Sequence, residues 1–195
     1  MQLFLQGNIK EYLKELSERK IVPGGGSASA LTAALGAGLN LMVINYSIKS
    51  DSDELAQGLL EDRQSQQESL DHLSLLVDED CKAFRELKEA LLSKPDAQKE
   101  YIAAAMVPMK ICRECHKSME ITARLLDSAN RNLLTDVGCA SHILKAAFCS
   151  AQLNVEINLK YIKDRSFVED TEDKLKTMIK GIDRAASKVE SGLKI

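Results

Sequence analysis

Apolar residues return along this chain at intervals of three and four positions, which is the spacing of amphipathic helices, and alternating strand patterns are almost absent. Polar, glycine-rich or proline-containing breaks divide the pattern into six segments. The predicted helices are a short one that Asn8 caps and that runs to about residue 19, followed by 28–48, 53–92, 97–129, 135–163 and 167–193. Short connections between about six helices are typical of an up-and-down bundle, so we predict an all-α fold in which residues 1–195 form one domain.

The second predicted helix, 28–48, is apolar nearly all round, which indicates a central and buried position. Ser27 is its predicted N-cap, and Ser166 is the predicted N-cap of the last helix. Small residues such as Ala33 and Gly36 recur on helix 28–48 at helical spacing. Because small side chains let another helix approach closely, we expect a helix–helix interface on this face.

Composition narrows the class of protein. The chain has 26 basic and 29 acidic residues, and its net charge of −3 argues against a general nucleic-acid binder, whose surface is usually basic. The sequence has no 18-residue apolar run and no secretory signal at its start, so we expect a cytoplasmic protein without a membrane span. Five cysteines, an odd number, predict free thiols rather than a disulfide framework.

The third helix places an acidic residue on its apolar side. With Val77 at the centre of the apolar stripe, Asp80 falls about 60° away, inside the stripe, and Asp78 about 100° away, outside it. Burying a carboxylate is costly unless it is paired or protonated, and burial tends to raise its pKa. Asp80 is therefore either a functional acid or a structural one that forms an ion pair or caps another helix, whereas Asp78 and Glu79 should face solvent.

Two further features also have a functional and a structural interpretation. On helix 135–163, Asp136, Asn154 and Asn158 share one narrow face with a row of alanines, which predicts either a groove with polar ends or close helix packing. The run at 24–27, Gly-Gly-Gly-Ser, leads into a helix N-terminus, where free backbone N–H groups suit an anion or a carbonyl oxygen. It has neither the P-loop spacing nor the preceding strand of a dinucleotide site, and a tight turn is the alternative.

The segment 112–116, Cys-Arg-Glu-Cys-His, has the spacing of a c-type haem attachment motif. It lies within a strong helical pattern, and covalent haem attachment requires export, so we expect ordinary core and surface residues there. His72 and His142 complete no recognisable zinc set, and no Ser/His/Asp or Cys/His nucleophile group stands out. The sequence predicts no metal site.

Five segments resemble, in the same order, motifs of the cyclodeaminase/cyclohydrolase family. That family includes the cyclodeaminase domain of formimidoyltransferase-cyclodeaminase and stand-alone methenyltetrahydrofolate cyclohydrolases. The segments are VPGGGSASAL at 22–31, LVDEDCKAF at 76–84, VP at 107–108, NRNLLTDVG at 130–138 and LNVEINLK at 153–160. They cover nearly the whole chain.

The resemblance implies an all-helical homodimer that binds a reduced folate in a helix-lined cleft and needs no cofactor besides that substrate. It implies that Asp80, the second Asp of LVDEDCKAF, is the general acid/base, with Asp136 as a second catalytic candidate. The residues it implies for substrate binding are Pro23, Gly24, Gly25, Gly26, Ser27, Asn154 and Asn158. Since aromatic residues make up only 4% of the chain, we expect mainly aliphatic side chains and glycine backbone to hold the pterin-like ring.

The activity implied by the resemblance is hydrolysis of 5,10-methenyltetrahydrofolate to 10-formyltetrahydrofolate. Cyclisation of 5-formimidoyltetrahydrofolate with release of ammonia is an alternative that would use the same cleft. A non-catalytic helical dimer that binds folate or another small ligand is the other alternative. It is motivated by residues 49–53, Lys-Ser-Asp-Ser-Asp, which stand where the family usually carries a basic segment near the substrate.

Overall fold

The computed structural model describes residues 3–48 and 54–193. Within these residues it contains six α-helices, two 3-10 turns and no strand, so the predicted all-α fold with six helices is confirmed. The α-helices are α1 Ile9–Ser17, α2 Gly25–Ser47, α3 Glu54–Ser93, α4 Gln98–Ser128, α5 Leu134–Leu159 and α6 Arg165–Gly192, and the 3-10 turns are Phe4–Gln6 and Arg131–Leu133. From α2 onward each helix packs on the next one in the chain, and α2 also packs on α4 and α5.

Two of the three predicted helix caps differ in the structure. Asn8 caps α1 as predicted, because its side chain accepts a hydrogen bond from the amide of Glu11. Helix α2 begins at Gly25 with Gly24 as its N-cap, so Ser27 lies inside the first turn and the cap predicted there is wrong. The cap of α6 is Asp164, whose carboxylate accepts from the amide of Phe167, and the predicted cap Ser166 lies inside that helix.

Helix α2 lies at the centre of the bundle, as its uniform apolar character predicts. Its small residues serve a contact within the chain: a Cβ atom added at Gly36 would lie 2.7 Å from Cγ of Leu144 on α5. By length and composition alone α2 could cross a membrane, since the mean hydropathy of its most apolar window is 1.6. In the structure 61% of that stretch is buried inside the bundle, and this burial explains why its residues are so apolar.

A buried polar cluster joins α2, α3 and α4. The side-chain amide of Asn40 donates to Oε1 of Gln66 at 3.2 Å, to the carbonyl of Ser118 at 3.1 Å and to the hydroxyl of Thr122 at 2.9 Å. The amide of Gln66 in turn donates to the Ser118 hydroxyl at 2.9 Å. Because an unpaired polar group in the core is costly, this cluster favours one axial register of the three helices over others.

The contact at Gly36 provides a test of the packing. We expect Gly36→Ala to lower the free energy of unfolding by about 1–2 kcal/mol, because overpacking against Leu144 exceeds the gain of about 1 kcal/mol in helix propensity. Gly58→Ala on α3 is the matched control, since a Cβ atom there meets no other atom within 4 Å and should be neutral or stabilising. Urea denaturation measures both, and equal stabilisation of the two variants would show that α2 and α5 are not closely packed at Gly36.

Candidate functional site

A cavity of about 500 Å³ opens between the N-terminus of α2, the second half of α3, the start of α4 and the end of α5. Its walls bring together most of the residues that the sequence singled out, although they lie far apart in the chain. These are Gly24, Gly25, Gly26, Asp80, Asn154 and Asn158. A larger cavity of about 800 Å³ between the end of α5 and α6 contains none of the predicted site residues.

The carboxylate of Asp80 packs directly against the first turn of α2. Its Oδ2 accepts a hydrogen bond from the backbone amide of Ser27 at 2.9 Å. Its Oδ1 lies where a side chain at position 26 would be, because a Cβ atom added at Gly26 would stand 2.0 Å from it. Glycine at 26 therefore leaves the space for the carboxylate, and the N-terminal end of the α2 dipole favours its negative form.

Burial raises the pKa of Asp80 to about 6, and the hydrogen bond from Ser27 opposes part of this shift. A carboxyl group with such a pKa exchanges its proton close to neutral pH. This is the property that a general acid/base requires, because the group must be able both to accept and to return a proton under working conditions.

The other two acids of the Asp-Glu-Asp run have different surroundings. Asp78, which was expected to face solvent, is half-buried and accepts the backbone amides of Phe4 at 2.7 Å and Leu5 at 3.2 Å. The N-terminal segment packs over this side of α3, which a helical projection of α3 alone cannot show. Glu79 forms an ion pair with Lys110 of α4 at 3.0 Å, and both side chains are partly exposed to solvent.

Ser27 belongs to the site through its backbone and not through a side chain in the cavity. Its hydroxyl lies 3.1 Å from the hydroxyl of Tyr12, which connects α1 to the first turn of α2. Burial raises the pKa of Tyr12, so its hydroxyl stays protonated and can donate to Ser27. Pro23, whose peptide bond with Val22 is cis, is buried beside the cavity and does not line it.

Asn154 and Asn158 contribute hydrogen-bond acceptors to the cavity. The side-chain amide of Asn154 donates to the carbonyl of Ser150 at 2.8 Å, and that of Asn158 donates to the carbonyls of Ala104 at 3.1 Å and Asn154 at 2.8 Å. Among the described residues, neither side-chain oxygen receives a hydrogen bond. Together with the Asp80 carboxylate in the same cavity, these oxygens suit a ligand that carries N–H groups and positive charge.

Asp136 does not join this cavity within one chain. It is half-buried in the first turn of α5, 18 residues before Asn154. Eighteen residues are five helical turns, so the two side chains do share a face, as the sequence predicted, but they lie about 27 Å apart along the axis. Residues 49–53, where the sequence lacks the expected basic segment, lie outside the described residues.

The sequence reasoning missed the aromatic wall of the cavity. The chain has four Tyr and four Phe, and three of these eight, Phe84, Tyr101 and Tyr161, line the cavity. The rings of Tyr101 and Tyr161 are stacked, with their centroids 5.1 Å apart. Aromatic rings therefore line this cavity beside the aliphatic side chains and glycines that were expected to hold most of a pterin-like ring.

Phe84 and Leu91 fall on the apolar stripe of α3 that is centred on Val77, yet they are 37% and 46% exposed because this end of the stripe faces the cavity. Helical spacing from Asp80 could have identified Phe84, Leu87 and Lys88, at four, seven and eight residues further along α3. Tyr101 and Tyr161 come from other parts of the chain, and no spacing in the sequence indicates their proximity.

The Cys-Arg-Glu-Cys-His segment forms part of α4. Cys112 and Cys115 are buried, and burial raises the pKa of the Cys112 thiol to about 12. His116 packs against Gly181 of α6. Across residues 3–48 and 54–193, no three His, Cys, Asp or Glu side chains are grouped so that they could hold a metal ion.

Comparison with known protein sequences adds three findings. Residues 8–177 match the sequence model of the family described as formiminotransferase-cyclodeaminase. The chain is 30% identical to methenyltetrahydrofolate cyclohydrolase of Methylorubrum extorquens, over 83% of this chain and 84% of that protein. It is also 27% identical to formimidoyltransferase-cyclodeaminase of Mus musculus over 91% of this chain, although it spans only 35% of that longer protein.

A solved structure has the same fold. The crystal structure of formiminotetrahydrofolate cyclodeaminase from Thermotoga maritima superimposes with a TM-score of 0.92 at 27% sequence identity. The match covers 97% of this chain and 96% of the other.

The raised pKa of Asp80 predicts a stability effect that depends on pH. Well below pH 4 the carboxyl group is protonated in the folded and the unfolded chain. As the pH rises from about 4 through about 6, the folded state loses stability, because the unfolded chain ionises this group while the folded chain resists ionisation. We therefore expect Asp80→Asn to be more stable than the original chain at pH 7.5, by up to about 3 kcal/mol, and by less at pH 4.5. Thermal or urea unfolding at the two pH values measures this difference.

Asp78→Asn is the matched control on the same helix. It weakens a charged acceptor of two backbone amides, and we expect it to destabilise the chain by about 1 kcal/mol at pH 7.5. If Asp80→Asn is destabilising to the same degree at both pH values, the Asp80 carboxylate is not under desolvation strain.

Proposed function

This chain belongs to the formiminotransferase-cyclodeaminase family, and we propose that it hydrolyses 5,10-methenyltetrahydrofolate to 10-formyltetrahydrofolate with Asp80 as the general acid/base. The observation that carries the proposal is the Asp80 carboxyl group, which has a pKa of about 6 and lies in a cavity lined by hydrogen-bond acceptors and aromatic rings.

The chemistry of the substrate fits one such carboxylate. The bridging carbon of 5,10-methenyltetrahydrofolate lies between two nitrogens of an amidinium cation and is already open to attack by water. Asp80 accepts a proton from the attacking water as the C–O bond forms. It then returns that proton to the departing ring nitrogen, N5, as the bond between N5 and the bridging carbon breaks. The hydroxyl group on that carbon loses its proton to solvent and becomes the formyl oxygen, and the formyl group stays on N10. At the end of the reaction Asp80 is again a carboxylate.

The remaining walls are suited to hold such a substrate. The side-chain oxygens of Asn154 and Asn158 accept N–H groups of the pterin ring, and the first-turn amides of Gly25 and Gly26 offer donors to a ring carbonyl. Phe84, Tyr101 and Tyr161 provide flat surfaces for stacking. A catalytic function of Asp136 stays a prediction, and because it lies outside the cavity of its own chain, it would need a second chain to reach the substrate.

Cyclodeamination of 5-formimidoyltetrahydrofolate is the second candidate, and it is favoured by the close structural match to the Thermotoga maritima enzyme. In that reaction N10 attacks the formimidoyl carbon, the bond from that carbon to the terminal nitrogen breaks, and ammonia leaves. Asp80 would transfer the proton of N10 to the departing nitrogen. The two reactions therefore require the same group at the same place, and only assays with both substrates separate them.

We further propose that two chains form a homodimer through the outer face of α2. Five apolar residues of that helix fall within an arc of about 80° and are partly or largely exposed. They are Leu31, Leu35, Leu39, Met42 and Tyr46. Leu35 and Tyr46 are 57% and 68% exposed, which is unusual on the central helix of a bundle and typical of a surface that another chain covers. Location in the cytoplasm and the absence of a cofactor stay predictions from the sequence.

The assignment of Asp80 leads to a kinetic prediction. We expect the purified chain to hydrolyse 5,10-methenyltetrahydrofolate above the uncatalysed rate and Asp80→Asn to lower kcat by about 10²–10⁴-fold, because proton transfer is lost. The value of kcat/KM should rise with pH around an apparent pKa of about 6, because the carboxylate form accepts the proton of water. The loss of absorbance of the methenyl compound measures both.

Asp71→Asn is the matched control for this assay, since Asp71 is exposed on α3 and lies nine residues before Asp80. Turnover of 5-formimidoyltetrahydrofolate alone would favour the cyclodeaminase. The catalytic proposal is wrong if Asp80→Asn is as active as the original chain, or if neither substrate is turned over; in the latter case, ligand binding would favour the non-catalytic interpretation.

The dimer leads to a separate prediction. Light scattering at micromolar concentration should give the mass of two chains, and Leu35→Glu should give the mass of one, because it places a charge in an apolar interface. Leu92→Glu is the control, because Leu92 is 90% exposed and lies outside the outer face of α2. A monomeric original chain would contradict this proposal.

A further inference from the structure

One basic side chain, Lys88 on α3, lines the site cavity, and no other Lys or Arg of the described residues does so. Its ammonium group lies 5.6 Å from the centre of the Phe84 ring. Within residues 3–48 and 54–193 it has no carboxylate partner at ion-pair distance, whereas Lys82 on the same helix pairs with Glu86. The cavity therefore has one positive charge that the fold does not neutralise.

Lys88 follows Asp80 and Phe84 in a fixed order along α3. Asp80, Phe84 and Lys88 are spaced by four residues and so follow one another on the same face of α3. At 1.5 Å per residue, the backbone rises about 6 Å from each to the next and about 12 Å in total. One wall of the cavity thus presents a carboxylate, an aromatic ring and an ammonium group in sequence.

We propose that Lys88 binds a glutamate carboxylate of the folate and thereby fixes the direction in which the substrate lies along α3. This inference rests on the proposed function. A methenyltetrahydrofolate has a cationic one-carbon bridge, then the aromatic ring of its p-aminobenzoyl group, then the carboxylates of glutamate. That order matches the carboxylate, ring and ammonium of the wall, and it places the bridge at Asp80.

The exposure of Lys88 defines what kind of effect to expect. An ion pair in contact with solvent is weak and is screened by salt, so Lys88 contributes to affinity and to selectivity for ligands that carry glutamate. It lies two helical turns from the reacting carbon and does not take part in proton transfer. Its loss should therefore raise KM and leave kcat nearly unchanged.

The test compares ligands with and without the glutamate on the full-length chain. Calorimetry with 10-formyltetrahydrofolate should show Kd raised about threefold in Lys88→Ala and about tenfold in Lys88→Glu, since the latter adds repulsion. Binding of 10-formyltetrahydropteroate, which lacks glutamate, should be unchanged in both variants. In the hydrolysis assay the same variants should raise KM for 5,10-methenyltetrahydrofolate with kcat within about twofold of the original value.

Lys82→Glu is the matched control, because it makes the same charge change on α3 at a residue that does not line the cavity. Equal effects of Lys82→Glu and Lys88→Glu would overturn the inference and indicate a general effect of charge. Equal weakening of both ligands would overturn it as well, because Lys88 would then act only through Phe84.

These experiments distinguish failure of the proposed function from failure of the glutamate subsite at Lys88. A chain that binds 10-formyltetrahydrofolate through Lys88 but turns over no folate would contradict the hydrolysis and support the subsite. A chain that binds neither ligand would contradict both.

Discussion

The whole site depends on the contact between one carboxylate and the first turn of one helix. Asp80 can lie against α2 only because position 26 has no side chain, and its cost of burial is reduced by the amide of Ser27 and the dipole of the helix. The balance leaves the carboxyl group with a pKa of about 6. The proton affinity of Asp80 thus depends both on the glycine at 26 and on the direction in which α2 points.

The rest of the bundle holds this contact in place. The Asn40 cluster fixes how α2, α3 and α4 lie along one another, and Asp78 binds the N-terminal segment to the same turn of α3 that carries Asp80. The Tyr12 hydroxyl supports Ser27 from α1. The contacts of Asp78 and Tyr12 lie around Asp80, whereas Lys88, two turns further along α3, is exposed to solvent.

Periodicity predicted the six helices and the inward direction of Asp80, because both are properties of a single helix. Along a single helix it gave the shared face of Asp136 and Asn154 on α5, but a projection along the axis does not represent the roughly 27 Å between them. It could not show contacts that depend on the packing of two or more helices. Tyr101 and Tyr161 stack only through the packing of the bundle, and Ser27 is not the cap of α2 because the glycines before it continue the helix. Motif resemblance supplied the family, which helical geometry alone could not.

The close approach at Gly26 also constrains how this chain can diverge. Any larger residue at 26 must displace the carboxylate at 80, and a shorter or neutral residue at 80 that relieves the clash removes the acid. Substitutions at positions 26 and 80 are therefore coupled for as long as the protein uses the acid at 80. A related chain that no longer catalyses the reaction is free of this restriction. A residue other than glycine at position 26 would therefore indicate, from the sequence alone, that the helical bundle has taken on another function.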